Sequence, residues 1–287
     1  MAGFAVVFQI KHLQHSAHSL MKIFLTANLV CRFFIAAILS ATTCLAFSQS
    51  QPQHKDALAD SRQMVLVTTK DWNAVGGTLR RYERGNTDAA WSEAGSPIEI
   101  AVGRNGLGWG RGLNSEIKTE PQKKEGDGKS PAGIFRLSSA FGFAKPDEIH
   151  LRLPYVQVTE MLECVDDVKS ARYNSIVDKS HIIHPDWNSS EKMLEIGEAY
   201  RLGVVVDHNV APRVAGKGSC IFLHIWKGDG SGTSGCTAME KSNMEKLIHW
   251  LDASRNPVLV QLPEMEFQRL QNQWRLPVLK NNSVATP

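Results

Sequence analysis

The main part of the chain lacks an excess of basic charge. Residues 1–48 hold three of the 32 basic residues and none of the 29 acidic ones, so 29 of each sign remain in the rest of the sequence. No block of like charge stands out there. Because duplex nucleic acid is bound largely through a basic surface, this balance excludes nucleic acid from the expected partners.

The sequence also lacks an apolar run of the length that a membrane span needs. Its N-terminal run, residues 33–47, contains 15 residues, whereas a spanning helix needs about 20. Arg32 precedes the run, and the small residues Ala46 and Ser48 follow in positions suited to cleavage. These features are typical of a secretory signal peptide. We therefore expect export and no stable membrane span, with an uncleaved anchor as the alternative.

We assign the predicted signal peptide to residues 1–48. Met21 alone begins a complete signal of this kind, so we expect the true start at that residue. The polar residues 49–62 are predicted to be a linker, and residues 63–263 to form a single domain. The last segment, residues 264–287, is predicted to be a tail whose apolar residues dock as a helix or cover a sheet edge.

Cysteines are few, and none are arranged as Cys-x-x-Cys. Beyond the export segment only Cys164, Cys220 and Cys236 remain. An odd number of cysteines in an oxidising compartment indicates one disulfide and one free thiol. Three pairings are possible. We prefer Cys164–Cys220, because the surroundings of Cys236 indicate chemistry.

The pattern of apolar residues predicts a mainly β domain with a few helices and no repeats. Two helices are expected, one from Ser190 to Tyr200 and one that begins with a Ser242-x-x-Glu245 capping box. Residues 103–112 are expected to form a glycine-rich turn rather than a phosphate-binding loop. Strands are predicted at residues 63–69, 77–82, 97–102, 200–206, 220–226 and 257–262.

His224 and Cys236 form the pair of residues most typical of catalysis. A predicted buried strand ends near His224, a polar loop rich in glycine follows, and Gly235 immediately precedes Cys236. Glycines allow backbone amides to converge on one point, and acyl transfer needs such donors for the developing oxyanion. The thiol must also lose its proton before it attacks, and a neighbouring imidazole can accept that proton. The pattern predicts a cysteine nucleophile with a histidine base.

Two other interpretations of these side chains exist. The first is a buried structural cysteine beside a satisfied core histidine. The second is a metal site built from His181, His184, His208, His224 and Cys236. The sequence has neither a Cys-x-x-Cys pair nor a carboxylate–histidine motif to accompany these histidines, so we expect no metal and no other cofactor.

The segment from His224 through Thr233-Ser234-Gly235-Cys236 resembles the active-site motif of the L,D-transpeptidase catalytic domain family (YkuD type). The upstream stretch at residues 126–137 resembles the Thr-Pro-x-Gly-x-Phe stretch of that family, and the resemblance covers about residues 63–263. Ser234 stands where the commoner motif has His or Arg, and Ala238 stands where it has Arg. The chain therefore resembles a divergent branch.

The resemblance implies a β-sandwich-like catalytic domain that carries out cysteine acyl transfer on peptidoglycan stem peptides. By position, Cys236 is the nucleophile, His224 the base and Gly235 part of the oxyanion loop. Thr233 and Ser234 are expected to contact substrate. The acceptor is an amine of a second stem peptide or of an envelope protein.

Asp207-His208-Asn209 follows the predicted strand at residues 200–206. We expect His208 and Asn209 to orient His224 or to bind peptide, and a turn is the alternative, because Asp and Asn favour turns after strands.

Two other functions fit the same motifs. Water as the acceptor would make the protein an L,D-carboxypeptidase or a cross-link hydrolase. The departures at Ser234 and Ala238 would also fit a non-catalytic protein that binds the wall.

Overall fold

A computed structural model of the protein describes residues 56–279. The predicted signal peptide lies outside the described residues, as does the first half of the predicted linker, residues 49–55. The described part is mainly β with two α-helices, which confirms the predicted fold class. No helix in this part of the chain combines the length and the apolar character that crossing a bilayer requires.

Fourteen strands and two helices make up residues 56–279. The strands are β1 Gln63–Thr69, β2 Gly76–Glu83, β3 Ser92–Glu93, β4 Ile98–Ala101, β5 Leu107–Trp109, β6 Ser130–Gly142, β7 Tyr155–Gln157, β8 Leu162–Val165, β9 Ser175–Asp178, β10 Ser190–Lys192, β11 Leu202–Val206, β12 Phe222–Ile225, β13 Thr237–Met239 and β14 Val258–Pro263. The helices are α1 Lys241–Trp250 and α2 Glu264–Leu270. Short 3₁₀ turns occur at Lys179–His181, Gly197–Tyr200 and Ala253–Arg255.

The large sheet closes on itself. Its strands are hydrogen-bonded in the order β1-β14-β6-β11-β12-β13-β4-β2, and β2 pairs in turn with β1. Most neighbours are antiparallel, but β1 runs parallel to β14, and β12 runs parallel to β13. Closure leaves an interior lined by apolar side chains, such as those of Leu66 and Val260, which face each other across β1 and β14.

Both helices cover this sheet with an apolar face. In α1, Met244, Leu247 and Ile248 are fully buried, as the spacing of apolar residues predicts. In α2, Phe267 and Leu270 are buried in the same core. The segment that follows residue 263 therefore packs against the domain through a helix, one of the two arrangements expected for it.

A second, smaller sheet lies beside the first and is joined to it covalently. Its strand order is β10-β8-β9, and it holds Cys164 on β8. A disulfide joins Cys164 to Cys220, which lies just before β12. Cys236 remains a free thiol. The disulfide thus ties the small sheet to the segment that enters the strand of His224.

The predicted helix from Ser190 to Tyr200 is wrong. Ser190–Lys192 forms β10, which pairs antiparallel with β8, and only Gly197–Tyr200 turns as a 3₁₀ segment. Gly197 has a φ of 75°, which a right-handed helix does not allow. Tertiary pairing and this glycine override the helical spacing of the apolar residues, and β11 begins only at Leu202.

Two local predictions also need correction. The cap of α1 is Glu240, whose carboxylate accepts the Ser242 amide proton at 3.0 Å, so the Ser242-x-x-Glu245 capping box does not form. The Ser242 hydroxyl donates to the same carboxylate and cannot act as the cap. Within the predicted turn at residues 103–112, Leu107–Trp109 forms β5, which pairs with β6.

Candidate active site

His224 lies on a strand, and Cys236 lies just before the parallel strand beside it. His224 belongs to β12 and stands opposite Ala238 of β13, and Cys236 immediately precedes β13. The two residues are only 8% and 6% exposed, yet both line one cavity of about 200 Å³. The structure therefore brings the predicted nucleophile and the predicted base to the same space.

The loop between the two strands passes close to another turn of the chain. A Cβ atom placed on Gly232 would lie 2.8 Å from the Cα atom of Arg104, so only glycine fits there without a shift. At this close approach the backbone amide of Arg104 donates a hydrogen bond to the Thr233 carbonyl of the loop at 2.8 Å. This close approach fixes the segment that leads into Cys236.

Two hydroxyl groups hold the backbone at Cys236. The Thr233 hydroxyl donates to the Cys236 carbonyl at 2.6 Å, and the Ser130 hydroxyl donates to the same oxygen at 2.7 Å. The Gly235 amide donates to the Thr233 hydroxyl oxygen at 3.1 Å. Thr233 and Ser234 also line the cavity, and Ser234 accepts a hydrogen bond from the Arg104 guanidinium at 3.2 Å.

The sulfur of Cys236 sits in an apolar, partly hydrogen-bonded setting. The Phe222 amide donates to Sγ at 3.3 Å, and Sγ lies 3.5 Å from the Cys220 carbonyl. The pKa of the Cys236 thiol is raised to about 12, chiefly by burial and to a smaller extent by the nearby carboxylate of Glu191. The Phe222 amide, the Tyr200 hydroxyl and the ammonium of Lys123 lower the pKa. Burial dominates, so the thiol is protonated at neutral pH.

The imidazole of His224 has a defined orientation. Its Nδ1 lies 2.8 Å from the Ile225 carbonyl, and because a carbonyl only accepts, Nδ1 carries the proton. Nε2 is then unprotonated and able to accept. Burial lowers the pKa of His224, and this effect outweighs the opposite effect of the Ile225 carbonyl. A neutral imidazole with a free acceptor nitrogen is the form that a general base requires.

Tyr200 and Glu191 complete the cavity, and sequence reasoning missed both. The Tyr200 hydroxyl donates to Glu191 Oε2 at 2.6 Å, and its ring meets the His224 ring edge-on with centroids 5.4 Å apart. The Tyr200 hydroxyl also lowers the pKa of Cys236. Tyr200 was predicted to end a helix that does not form, and no local pattern marks Glu191.

His208 and Asn209 lie outside this cavity. His208 Nε2 is 2.8 Å from the Lys217 carbonyl, while its Nδ1 accepts the Arg111 amide at 3.3 Å. The Asn209 side chain bonds to Val214 and to the Gly218 carbonyl. Both residues are 1% exposed and hold the loop at residues 210–218 together, so the turn interpretation describes their contacts better than peptide binding does.

The other histidines of the alternative metal site do not join this cavity. His181 and His184 are exposed at and near the 3₁₀ turn Lys179–His181. Within residues 56–279, no group of three or more His, Cys, Asp and Glu side chains is arranged to hold a metal ion.

Comparison with known proteins supplies the family. The model of the L,D-transpeptidase catalytic domain (YkuD) matches residues 73–260, and the chain belongs to this family. No protein of curated function matches the chain. Among solved structures, the chain is similar to the helical cell shape determining protein Pgp2 from Campylobacter jejuni, with 17% identity and a TM-score of 0.34. That match covers 70% of this chain and 48% of the Pgp2 chain, about half its length.

Proposed function

We propose that this chain is an exported cysteine acyltransferase that acts on peptidoglycan stem peptides, with Cys236 as nucleophile and His224 as base. One observation carries the proposal: the only free thiol within residues 56–279 faces the same cavity as an imidazole whose Nε2 is free to accept a proton. Membership of the L,D-transpeptidase catalytic domain family, a family of peptidoglycan-modifying enzymes, supports this choice of substrate.

The first half of the reaction transfers the acyl group to the enzyme. Nε2 of His224 takes the proton of the Cys236 thiol as the sulfur bonds to the carbonyl carbon of a diaminopimelate-type residue. The tetrahedral intermediate then breaks its bond to the nitrogen of D-alanine, and His224 returns the proton to that amine. Because the resting pair is neutral, proton transfer accompanies attack rather than preceding it.

The oxyanion of this intermediate needs backbone donors. Since the Gly235 amide already donates to Thr233, we assign to Gly235 the shaping of the turn, and to the Cys236 amide the oxyanion itself. Thr233 and Ser130 support this role, because they fix the peptide group that follows Cys236. Thr233 and Ser234 remain candidates for contact with substrate, while His208 and Asn209 do not.

The second half of the reaction releases the acyl group. An amine of a second stem peptide, or of an envelope protein, gives a proton to His224 and attacks the thioester; the leaving sulfur recovers a proton as the thiol. Export is supported by the disulfide between Cys164 and Cys220, since such bonds persist in oxidising compartments.

The test is a comparison of the wild-type protein with Cys236→Ala on purified muropeptides, with products separated by mass spectrometry. We expect cross-linked dimers and free D-alanine from the wild type, and at least a thousandfold less product from Cys236→Ala, because no other free thiol lines the cavity. Trimmed monomers without dimers would instead identify water as the acceptor.

An intact-mass measurement provides a control that tests whether the thiol of Cys236 is reactive. A carbapenem should add covalently to the wild type and not to Cys236→Ala, while both proteins melt at similar temperatures. Full activity in the alanine variant would contradict the proposal. Absence of an adduct on a folded wild type would favour the non-catalytic, wall-binding alternative.

A further inference from the structure

Glu191 is a carboxylate without a cationic partner in the catalytic cavity. It lines the same space as Cys236 and His224. Its Oε2 accepts the Tyr200 hydroxyl proton, and no Lys, Arg or His of residues 56–279 forms an ion pair with it. A half-buried carboxylate in a protein normally has a counter-charge, so this one is suited to receive a cation from outside the chain.

The position of Glu191 is built into the fold. It stands opposite Cys164 in the antiparallel pairing of β10 with β8, and Cys164 is bridged to Cys220. The Cys220 carbonyl in turn lies 3.5 Å from the sulfur of Cys236. One disulfide therefore links the neighbour of the Glu191 strand to the segment that contacts the nucleophile.

Charges around Glu191 favour a positively charged ligand. The pKa of Glu191 is raised to about 7: burial raises it most, the hydrogen bond from Tyr200 lowers it, and the carboxylates of Asp166 and Glu125 raise it. The cation that lines the cavity, Lys227, is exposed and makes no ion pair with Glu191. Lys123 is buried and already paired with Asp127, with Nζ 2.6 Å from Oδ1. The neighbourhood of Glu191 is thus short of positive charge.

Glu191 also acts on the nucleophile. Its negative charge raises the pKa of Cys236 and so opposes formation of the thiolate. A cation bound to Glu191 would cancel this charge. Recognition of a charged substrate would then favour ionisation of the sulfur in the same step.

We infer that Glu191 binds the side-chain ammonium group of the stem-peptide residue whose carbonyl Cys236 attacks, and that this contact favours the reactive form of the sulfur. Tyr200 is a positioning residue that holds the carboxylate toward the cavity. The inference rests on the proposed function and deepens it. It makes the Glu191 carboxylate the group that selects a diamino acid at the attacked position of the stem peptide.

The test uses two acyl-donor tetrapeptides that differ by one amine. One carries diaminopimelate at the third position, and the other carries 2-aminopimelate, which lacks only the side-chain amine. We expect the wild type to prefer the amine-bearing donor by about tenfold or more in kcat/KM, as a charge-assisted contact requires. Glu191→Gln should reduce this preference to less than about twofold.

Glu195→Gln is the matched control. Glu195 lies four residues further along the chain, is exposed, and pairs on the surface with Lys192 at 3.4 Å. This variant should keep the wild-type preference. Because each preference is a ratio of two substrates on one preparation, partial misfolding of a variant cancels out.

A second readout follows the sulfur without substrate. Removing the charge of Glu191 should lower the pKa of Cys236, so iodoacetamide should alkylate Cys236 faster in Glu191→Gln than in Glu195→Gln near pH 8. Equal alkylation rates of Cys236 in the two variants would overturn the proposed effect of Glu191 on the sulfur. Cleavage of both donors with an unchanged preference in Glu191→Gln would overturn the ammonium contact alone. Failure of the wild type to cleave either donor would overturn the proposed function together with the inference.

Discussion

His224 and His208 are both buried histidines, but their ring nitrogens are used differently. Both ring nitrogens of His208 are hydrogen-bonded, to the backbone of Lys217 and of Arg111. In His224 only Nδ1 is hydrogen-bonded, to the Ile225 carbonyl. Burial lowers the pKa of each, to about 4 in His208. Burial and a depressed pKa therefore do not distinguish a base from a structural histidine; a nitrogen left without a partner beside a cavity does.

The strongest way to break this comparison is to replace each histidine by glutamine. We expect His224→Gln to lower kcat/KM on stem peptides by about a thousandfold, because the proton acceptor of Cys236 is lost, with little change in melting temperature. His208→Gln should instead cost about 1–3 kcal/mol of unfolding free energy, because buried backbone groups lose partners. Its folded fraction should keep activity within a few-fold of the wild type.

Activity assays and urea unfolding of both variants check this pair of expectations. Equal losses of activity in the two variants would remove the distinction between the histidines. Such a result would place His208 in the catalytic machinery, where it would orient His224 or bind peptide.

The disulfide between Cys164 and Cys220 allows a test of how firmly the small sheet is held to the large one. Replacing Cys164 and Cys220 together by serine opens a loop with a sequence separation of 56 residues. The chain-entropy relation gives a loss of about 4 kcal/mol for a loop of this length. We expect a large fall in the urea midpoint. We also expect a weaker preference for the amine-bearing donor, because the small sheet that carries Glu191 is then no longer bonded to the segment beside Cys236. A midpoint like that of the wild type would show that packing alone holds the small sheet.

A smaller effect than that of the disulfide is expected in the pH dependence of stability, and it is due to His208. Its folded pKa is about 4, below the value of about 6.5 for an unfolded histidine, so the unfolded chain binds more protons between these values. The stability from neutral His208 is thus present above pH 6.5 and lost as the pH falls toward 4, by about 3 kcal/mol. Urea unfolding at pH 7 and pH 4.5 should show a shallower loss for His208→Gln. An identical slope in both proteins would contradict the assigned protonation state.

Much of the fold follows from local patterns. The run of β-branched residues at 63–69 predicted β1 with its observed bounds, and the apolar spacing of Met244, Leu247 and Ile248 predicted the buried face of α1. These signals are reliable because burial of one face is repeated at the period of the element itself. The motif at residues 126–137 and the motif from His224 to Cys236 predicted the family, which the match over residues 73–260 confirms.

Predictions failed where partners distant in sequence decide the structure. Ser190–Tyr200 has helical spacing, yet β10 forms there because β8 offers a pairing edge. For His208 and Asn209 the turn alternative describes the contacts better than peptide binding does, because both side chains bond to the loop at residues 210–218. The pairing of β10 with β8 has no local signal, since it depends on which strand edge lies nearby in space.

By itself, the amino-acid sequence determined which residues can react: a cysteine after a glycine, a histidine on a buried strand, and the order that links them to a known family. Only the tertiary structure decided their chemical states. The tautomer of His224, the protonated thiol of Cys236 and the approach of Glu191 and Tyr200 all depend on burial and on charges brought from other parts of the chain. A pKa is set by the surroundings of a group in space, and neighbours along the sequence supply only a part of them.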